Sequence, residues 1–258
     1  MTDRNQVRDR LARTLNEALP RLIETTQALV AVASPNPPSD TAEIAKTVHA
    51  LLAPIPGIEI ERIEPQPRIV SFVARIRAST PGRRLIFNGH LDTFPLGEHL
   101  GWTVAPLGGL LRDGRLYGRG VSDMKAGVAS SILAAALLAE HRDAWSGEIV
   151  LTLAADEENM GSLGTGYMLD HIPHARGDAN ICGDVGSPLV VRFGEKGLYW
   201  IEIEATGAPA HGAVGVAGGA RACDAGPGKP FAGNGPQAPA CRRRCLPHQH
   251  EPWQPCPA

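Results

Sequence analysis

The sequence predicts an α/β fold in which helices flank a mostly parallel β-sheet. Segments with helical spacing alternate along the chain with short apolar segments typical of strands. One of these segments, residues 148–154 (EIVLTLA), is apolar almost throughout, as expected of a strand buried on both faces. Acidic residues follow several predicted strands, at the edge of the sheet where open α/β folds bind their ligands. The fold class and the position of a site are therefore predicted together.

The individual elements follow from local patterns. Apolar residues at steps of three or four predict an amphipathic first helix, at Val7, Leu11, Leu15, Leu19 and Leu22. The segment 34–40 (SPNPPSD) ends that helix, and further helices are expected at 41–53, 124–141 and 162–172. Apolar runs predict strands at 58–63, 69–76, 84–87, 148–154 and 179–182. Turn residues predict a Pro-Gly turn at 81–82, a hairpin at Asp113-Gly114 and a second hairpin joining 190–193 to 198–205.

Composition limits the classes of function. The chain has 258 residues with 43% hydrophobic and 20% charged residues, which is typical of a globular protein of one or two domains. A net charge of −2 gives no electrostatic reason to expect nucleic acid or an anionic membrane as a partner. The N-terminal residues mix both charge signs at helical spacing, unlike a secretory signal, and Cys182 is the one cysteine before residue 214. These features favour a cytoplasmic protein.

Four groups of metal-type ligands follow predicted strands or open a helix. In chain order they are His90 with Asp92, Asp123, Glu157 with Glu158, and Asp184. Each group alone has a structural alternative: a buried histidine paired with an aspartate, a helix N-cap, a solvated charge pair and a turn residue, respectively. Four such groups at strand ends together favour a metal site, because carboxylate and imidazole groups are the ligands of hydrolytic metal centres.

The sequence motifs that contain these residues resemble those of a known family. The segments are NGHLDTFPLG, DGRLYGRGVSDMKAG, DEENMGSLGTGYML and GDVGSP, within residues 22–211. They are similar to the zinc-dependent aminoacylase family, which includes acetylornithine deacetylase, succinyl-diaminopimelate desuccinylase and carboxypeptidase G. The resemblance implies a two-zinc exopeptidase-like catalytic domain, a small N-acyl amino acid or peptide as substrate, and homodimeric full-length relatives.

The same resemblance implies roles for the individual residues. His90 and Asp184 would hold one Zn²⁺, Glu158 would hold the other and Asp123 would bridge them, with Co²⁺ or Mn²⁺ as alternative metals. Glu157 would be the general base that takes a proton from water, and Asp92 would support His90. His211 resembles the lid histidine that reaches a neighbouring subunit's substrate in dimeric members. The peptide bond Asp123–Met124 would be cis.

The domain prediction has three parts. Residues 1–193 form an incomplete catalytic domain, 194–213 begin an α+β lid and dimerisation domain, and 214–258 form a low-complexity tail. The tail contains no Ile and a single Leu, Leu246, and is rich in Ala, Gly, Pro, Arg and Cys, which predicts disorder and a segment translated out of frame. The second metal site would then lack a further histidine that the family carries near the end of its full-length chains.

Several alternatives stay open. A two-metal aminopeptidase would use similar ligands and would require a free N-terminal amine in its substrates. A non-catalytic stub would bind at most one metal and hydrolyse nothing. The tail cluster Cys241, Cys245, His248 and His250 fits a zinc knuckle poorly, because its histidines are too close together. No GxSxG sequence or cysteine-nucleophile context indicates covalent catalysis.

Overall fold

The computed structural model describes residues 4–97, 101–186, 189–191, 201–205, 208–209, 219–220 and 241–245. The chain divides into two compact units, residues 1–190 and 191–258. All four α-helices of the described residues belong to the first unit: α1 (Arg4–Val30), α2 (Ala42–Leu52), α3 (Ala126–Ala139) and α4 (Tyr167–His171).

Seven strands of the first unit form a sheet and a hairpin. They are β1 (Glu59–Gln66), β2 (Ile69–Arg77), β3 (Thr80–His90), β4 (Leu110–Arg112), β5 (Arg115–Tyr117), β6 (Ser146–Ala154) and β7 (Ala179–Cys182). The five-stranded sheet has the order β1-β2-β6-β3-β7, and β4 pairs with β5 as the predicted hairpin at Asp113-Gly114. Strand β3 runs parallel to β6 and to β7, whereas β1, β2 and β6 are antiparallel neighbours.

The predicted α/β fold with helices around a sheet is confirmed, and the sheet is mixed rather than mostly parallel. Two of its four pairings are antiparallel, β1 with β2 and β2 with β6. The two-residue turn between β1 and β2 allows only an antiparallel pair, because a parallel pair needs a long crossover connection. The parallel half contains β6, β3 and β7, and this half carries the metal-type ligands.

Strand β6 lies at the centre of the sheet and is buried on both faces, as its apolar sequence predicts. Ile149, Leu151 and Leu153 face one core, together with buried residues of α2 and α3. Val150 and Ala154 face the opposite core, with Met168 of α4. Because side chains alternate along a strand, one apolar segment fills both cores and fixes the position of its C-terminal end.

Three local predictions differ from the structure. Among residues 12–30 of α1, most buried side chains lie near the C-terminal end, and Leu15 and Leu19 of the predicted apolar stripe are about half exposed, at 56% and 52%. The predicted Pro-Gly turn at 81–82 lies inside β3, which is irregular between Thr80 and Arg84 and pairs with β6 rather than β2. The predicted helix 162–172 is reduced to the short α4, because Gly164 has non-helical backbone angles.

Helix α3 and the turn before it form an apolar segment, Val121–Ala139, which is long enough to cross a membrane by length and composition alone. Half of that segment is buried in the protein. Helix α3 packs against α1, β3 and β6, and the core helix of a globular domain meets the same criterion of length and composition.

In the second unit the structure describes four strands, β8 (Ile201–Ala205), β9 (Ala208–Pro209), β10 (Gly219–Ala220) and β11 (Cys241–Cys245). Strand β8 pairs with β11 in antiparallel fashion, and β9 pairs with β10 in parallel. Most of the predicted hairpin 190–205 lies outside the described residues, apart from β8. The predicted domain boundaries after residues 193 and 213, and the disordered tail, stay predictions.

Candidate metal centre

Three of the four ligand groups meet at one edge of the sheet. His90 is the last residue of β3 and pairs with Ala154, the last residue of β6. Glu157 and Glu158 follow β6 in a short helical turn, and Asp184 follows the end of β7 by two residues. Because these three strands are parallel, their carboxyl ends lie together, as the sequence predicts for an open α/β sheet.

The fourth group reaches the same edge through the turn before α3. Asp123 lies in the wide turn Val121–Lys125, which begins after Gly120 at a φ of 74°. The peptide bond Asp123–Met124 is cis, as the family resemblance implies. The buried ammonium group of Lys125 donates a hydrogen bond to the carbonyl of Val32 over 2.7 Å, and burial lowers the pKa of Lys125 to about 8. This contact ties the turn to the residues that follow α1.

Three potential metal ligands lie close together. One donor atom each from His90, Asp123 and Glu158 lies within 4.8 Å of the other two. His90 Nε2 is 2.9 Å from Asp123 Oδ1 and 3.7 Å from Glu157 Oε2. The side chain of His90 is only 2% exposed, whereas Asp123 and Glu157 are 45% and 50% exposed. The arrangement is therefore anchored in the core and open to solvent on its carboxylate side.

The imidazole of His90 is held in one orientation. Its Nδ1 donates to the main-chain carbonyl of Asp92 over 2.9 Å, which leaves Nε2 facing Asp123. Burial alone would lower the pKa of His90, but the Asp92 side chain and the charges of Glu157 and Asp123 raise it to about 9. An imidazole whose Nδ1 donates to a main-chain carbonyl while Nε2 faces carboxylates is the usual arrangement of a metal-binding histidine, and a cation bound there would replace the proton on Nε2.

The carboxylate of Asp92 lies beneath the site and is fully buried. It accepts hydrogen bonds from the Asn36 side chain at 2.8 Å and from the backbone N–H groups of Glu157 and Glu158 at 3.2 and 3.0 Å. Burial favours the neutral acid, but hydrogen bonds with His90 and Asn36 hold the pKa of Asp92 below its usual range. Asp92 thus connects β3 to the turn that carries both glutamates.

Both glutamates are less acidic than usual. Burial and the charge of Asp123 raise the pKa of Glu158 to about 7. Burial also raises the pKa of Glu157, with smaller contributions from Asp184, Asp92 and Asp123, while the His90 charge opposes the shift. Negative charges that raise one another's pKa mark a position where a cation would be stabilised.

Asp184 lies apart from this group of donors. Asp184 is exposed and does not belong to the group of donors within 4.8 Å, although its charge acts on Glu157. His211 lies outside the described residues.

Sequence analysis missed several residues that support the centre. Asn36 and Ser39 belong to the segment SPNPPSD, in which the prolines indicate only the end of a helix. Asp156 is 1% exposed and accepts hydrogen bonds from Ser39 and from the N–H of Leu163, although the motif it belongs to was interpreted through its two glutamates. No local signal identifies Asn36 and Ser39, because Asn and Ser next to prolines are typical of any turn.

The fold and the donor set together define a class of protein. One imidazole nitrogen and two carboxylate oxygens meet at the ligand-binding edge of an α/β sheet, and a third carboxylate lies beside them. Nitrogen and oxygen ligands of this kind fit a divalent metal of a hydrolytic enzyme, with Glu157 available for proton transfer. The class is that of an α/β metallohydrolase.

Comparison with known proteins gives the family. The sequence profile of peptidase family M20/M25/M40 matches residues 86–220, and the chain belongs to this family. A similar curated protein is a succinyl-diaminopimelate desuccinylase from Rhodospirillum centenum, 36% identical over 171 residues. That match covers 64% of this chain and 42% of the relative, so the chain spans about two fifths of the relative's length.

Solved structures agree with the fold. Human carnosine dipeptidase 1 matches with a TM-score of 0.58 and 18% identity, over 67% of this chain and 40% of the other. The M20 metallo-carboxypeptidase of Sulfolobus solfataricus matches with a TM-score of 0.53 and 23% identity, over 74% of this chain and 40% of the other. At these identities the similarity establishes the fold alone.

Proposed function

We propose that this chain carries the catalytic domain of a metal-dependent hydrolase that cleaves an amide bond of an N-acyl amino acid or a peptide. The observation that carries the proposal is the convergence of His90, Asp123 and Glu158 within 4.8 Å, with Glu157 beside them. These residues come from three separate segments, and a chance grouping of surface charges would not place a 2% exposed histidine at its centre.

The residues present fit a metal. The site combines one imidazole with several carboxylates, and burial, with added repulsion from neighbouring carboxylates, raises the pKa values of Glu157 and Glu158. We assign His90, Asp123 and Glu158 as ligands and retain Asp184 as a proposed fourth ligand. Zn²⁺ is the proposed metal, and Co²⁺ and Mn²⁺ suit the same donors.

A bound metal would supply Lewis acidity toward the scissile carbonyl and toward water. The chain's own contribution is proton transfer by Glu157, which takes a proton as water adds to the carbonyl carbon. The C–N bond then breaks, and Glu157 returns the proton to the leaving nitrogen. Burial raises the pKa of Glu157, and this brings its proton affinity closer to the working pH of a general base.

The proposed substrate is a small molecule. The desuccinylase similarity favours an N-acyl amino acid, with an N-succinyl compound as the first to test. Because the chain spans about two fifths of that relative, its substrate pocket, its cytoplasmic location and the role of His211 remain predictions, and a homodimeric state is predicted for full-length relatives alone.

A second candidate is a non-catalytic stub that binds at most one metal. The observation in its favour is that the convergent donors among the described residues, His90, Asp123 and Glu158, form a single group that could hold one ion. The experiment that separates the two combines metal stoichiometry with turnover of N-succinyl and N-acetyl amino acids by the 258-residue chain. Two metals per chain with turnover support the hydrolase. One weakly bound metal without turnover supports the stub, and Glu158→Gln serves as the metal-deficient control.

A further inference from the structure

The two glutamates of the candidate metal centre are held by a single buried side chain. Asp92 Oδ1 accepts from the N–H of Glu157 at 3.2 Å, and Asp92 Oδ2 accepts from the N–H of Glu158 at 3.0 Å. The orientation of the Asp92 carboxylate therefore decides where the turn that carries both glutamates lies. The contacts that hold the Asp92 carboxylate therefore influence the positions of both glutamates.

Asn36 fixes the carboxylate of Asp92. Its Nδ2 donates to Asp92 Oδ2 over 2.8 Å, and its Oδ1 accepts from Ser39 Oγ over 2.7 Å. The amide cannot be turned around, because its oxygen would then face the negative oxygen of Asp92. Its backbone is also secured, since the N–H of Asn36 donates to the carbonyl of Thr93 over 2.9 Å. Asn36 is 2% exposed, so water does not substitute for these contacts.

Ser39 connects the same network to the residue that directly precedes the glutamate turn. Its hydroxyl lies 3.0 Å from Asp156 Oδ1, and Asp156 immediately precedes Glu157. Asp156 Oδ2 accepts from the N–H of Leu163 over 3.1 Å. Ser39 and Asp156 both have positive φ values, 66° and 70°, which are unfavourable for residues other than glycine unless neighbouring contacts hold them.

We propose that Asn36 and Ser39 are positioning residues, which set the location of Glu157 and Glu158 through Asp92 and Asp156. This inference rests on the proposed function, because the positioned residues are the proposed base and a proposed metal ligand. The two contacts hold three consecutive residues at the start of one short turn, Asp156 through its side chain and Glu157 and Glu158 through their backbone N–H groups, so that this backbone cannot shift without breaking at least one buried hydrogen bond. Asn36 and Ser39 of the segment SPNPPSD thereby influence proton transfer by Glu157 and metal binding by Glu158 without contacting substrate or metal.

The first test uses hydrogen exchange in the metal-free 258-residue chain. Asn36→Asp replaces a donor with an acceptor that faces Asp92, and we expect the Glu157 and Glu158 amides to exchange at least about tenfold faster. Ser39→Gly removes the hydroxyl but relieves the backbone at φ 66°, so this variant keeps the fold while the Glu157 amide exchanges severalfold faster.

Thr41→Val provides the matched control. Thr41 is fully buried in the following turn and its hydroxyl bonds only to the backbone of Val70 and Arg68 among the described residues. Loss of the Thr41 hydroxyl lowers the stability of the fold but leaves the contacts of Asp92 intact. We therefore expect the Glu157 and Glu158 amides to exchange as in the wild type, once the change in global stability is subtracted. Equal exchange at these two amides in all three variants overturns the inference.

The second test measures Co²⁺ affinity by absorption spectroscopy. We expect Asn36→Asp to weaken binding about 10- to 100-fold, as changes to groups that orient metal ligands do, while Thr41→Val has no effect. Faster exchange with unchanged Co²⁺ affinity overturns the inference, because the turn would then move without consequence for the ligands. If the wild type binds no Co²⁺ while Asn36→Asp still speeds exchange, the positioning of the turn is supported and the proposed metal site fails.

Discussion

Negative charge is concentrated around one imidazole at the candidate metal centre. Asp92 lies below His90, and Asp123 and Glu157 lie on its Nε2 side at 2.9 and 3.7 Å. The surrounding carboxylates outweigh the effect of burial and raise the pKa of His90 to about 9, whereas burial, together with the charge of Asp123, raises the pKa of Glu158 to about 7. In the metal-free protein a proton on His90 partly compensates this charge, and a divalent cation would compensate it more fully. The division of roles among these residues leads to two predictions.

We expect Glu157→Gln to lower kcat for amide hydrolysis by at least about 100-fold, because the amide cannot accept the proton of water. Co²⁺ affinity should change by less than about threefold, since Glu157 is not among the three convergent donors. Steady-state kinetics and Co²⁺ titration measure the two effects separately. Glu158→Gln is the control and should lose Co²⁺ binding. Joint loss of metal and activity in Glu157→Gln would contradict the assigned role.

Metal affinity should depend on pH through His90 and Glu158. A metal binds neutral imidazole and ionised carboxylate, so it must displace any proton they carry. Between pH 9 and pH 7 His90 is protonated in the metal-free protein, and log affinity should fall by about one per pH unit. Below pH 7 Glu158 is protonated as well, and the slope should approach about two.

Calorimetry in buffers of different ionisation enthalpy counts the released protons directly. A Co²⁺ affinity that is constant between pH 6 and pH 9 would rule out His90 as a ligand.

At the scale of secondary structure, local patterns predict elements better than their pairing. Helix α2 and the hairpin at Asp113-Gly114 follow from short-range signals, and β6 follows from its apolar run. The insertion of β6 between β2 and β3 depends on contacts between distant residues, which no local pattern contains. A Pro-Gly pair at 81–82 therefore predicts a turn, although in the folded chain it lies inside β3.

The residues of the candidate site also fall into two groups, those that local sequence patterns predict and those that they do not. Residues that follow strands are predicted from sequence, because a parallel sheet gathers the ends of its strands. Asn36 and Ser39 are not, because Asn36 contacts Asp92 56 residues further along and Ser39 contacts Asp156 117 residues further along. Their polar side chains next to prolines look like an ordinary turn until the partner is known.

Helix α3 packs closely against the loop after β7, and we expect the stability of the fold to depend on this contact. A Cβ atom added at Gly127 would lie 2.2 Å from the backbone oxygen of Gly183, next to Asp184. Alanine favours helices over glycine by about 1 kcal/mol, yet we expect Gly127→Ala to destabilise the fold by about 1–3 kcal/mol, because backbone must move.

Urea unfolding measures this effect. Ser130→Ala, at an exposed position of the same helix, is the control and should change stability by less than about 0.5 kcal/mol. If the Gly127→Ala protein is as stable as the wild type, the loop that carries Asp184 can move away from α3 at little cost in free energy.

At the scale of the whole chain, the described chemistry belongs to one unit. His90, Asp123 and Glu158 all lie within residues 1–190, together with the five-stranded sheet and its two cores. The family profile ends at residue 220, and the segment after residue 213 has the composition from which we predict an out-of-frame tail. Translation of the gene in its other two frames tests that prediction directly, since a shifted frame should continue the lid domain.

Removal of residues 214–258 tests the same prediction on the protein. We expect the melting temperature of the remaining chain to change by less than about 2 °C, and its Co²⁺ affinity to stay within about threefold, because a low-complexity segment adds little packed apolar surface. A chain ending at residue 178 is the control, since it also lacks β7, which pairs with β3 beside His90, and it should lose both cooperative melting and Co²⁺ binding. If removal of 214–258 alone lowers stability or metal affinity, the segment is part of the folded protein, and an out-of-frame origin becomes untenable because unselected sequence would not supply such contacts.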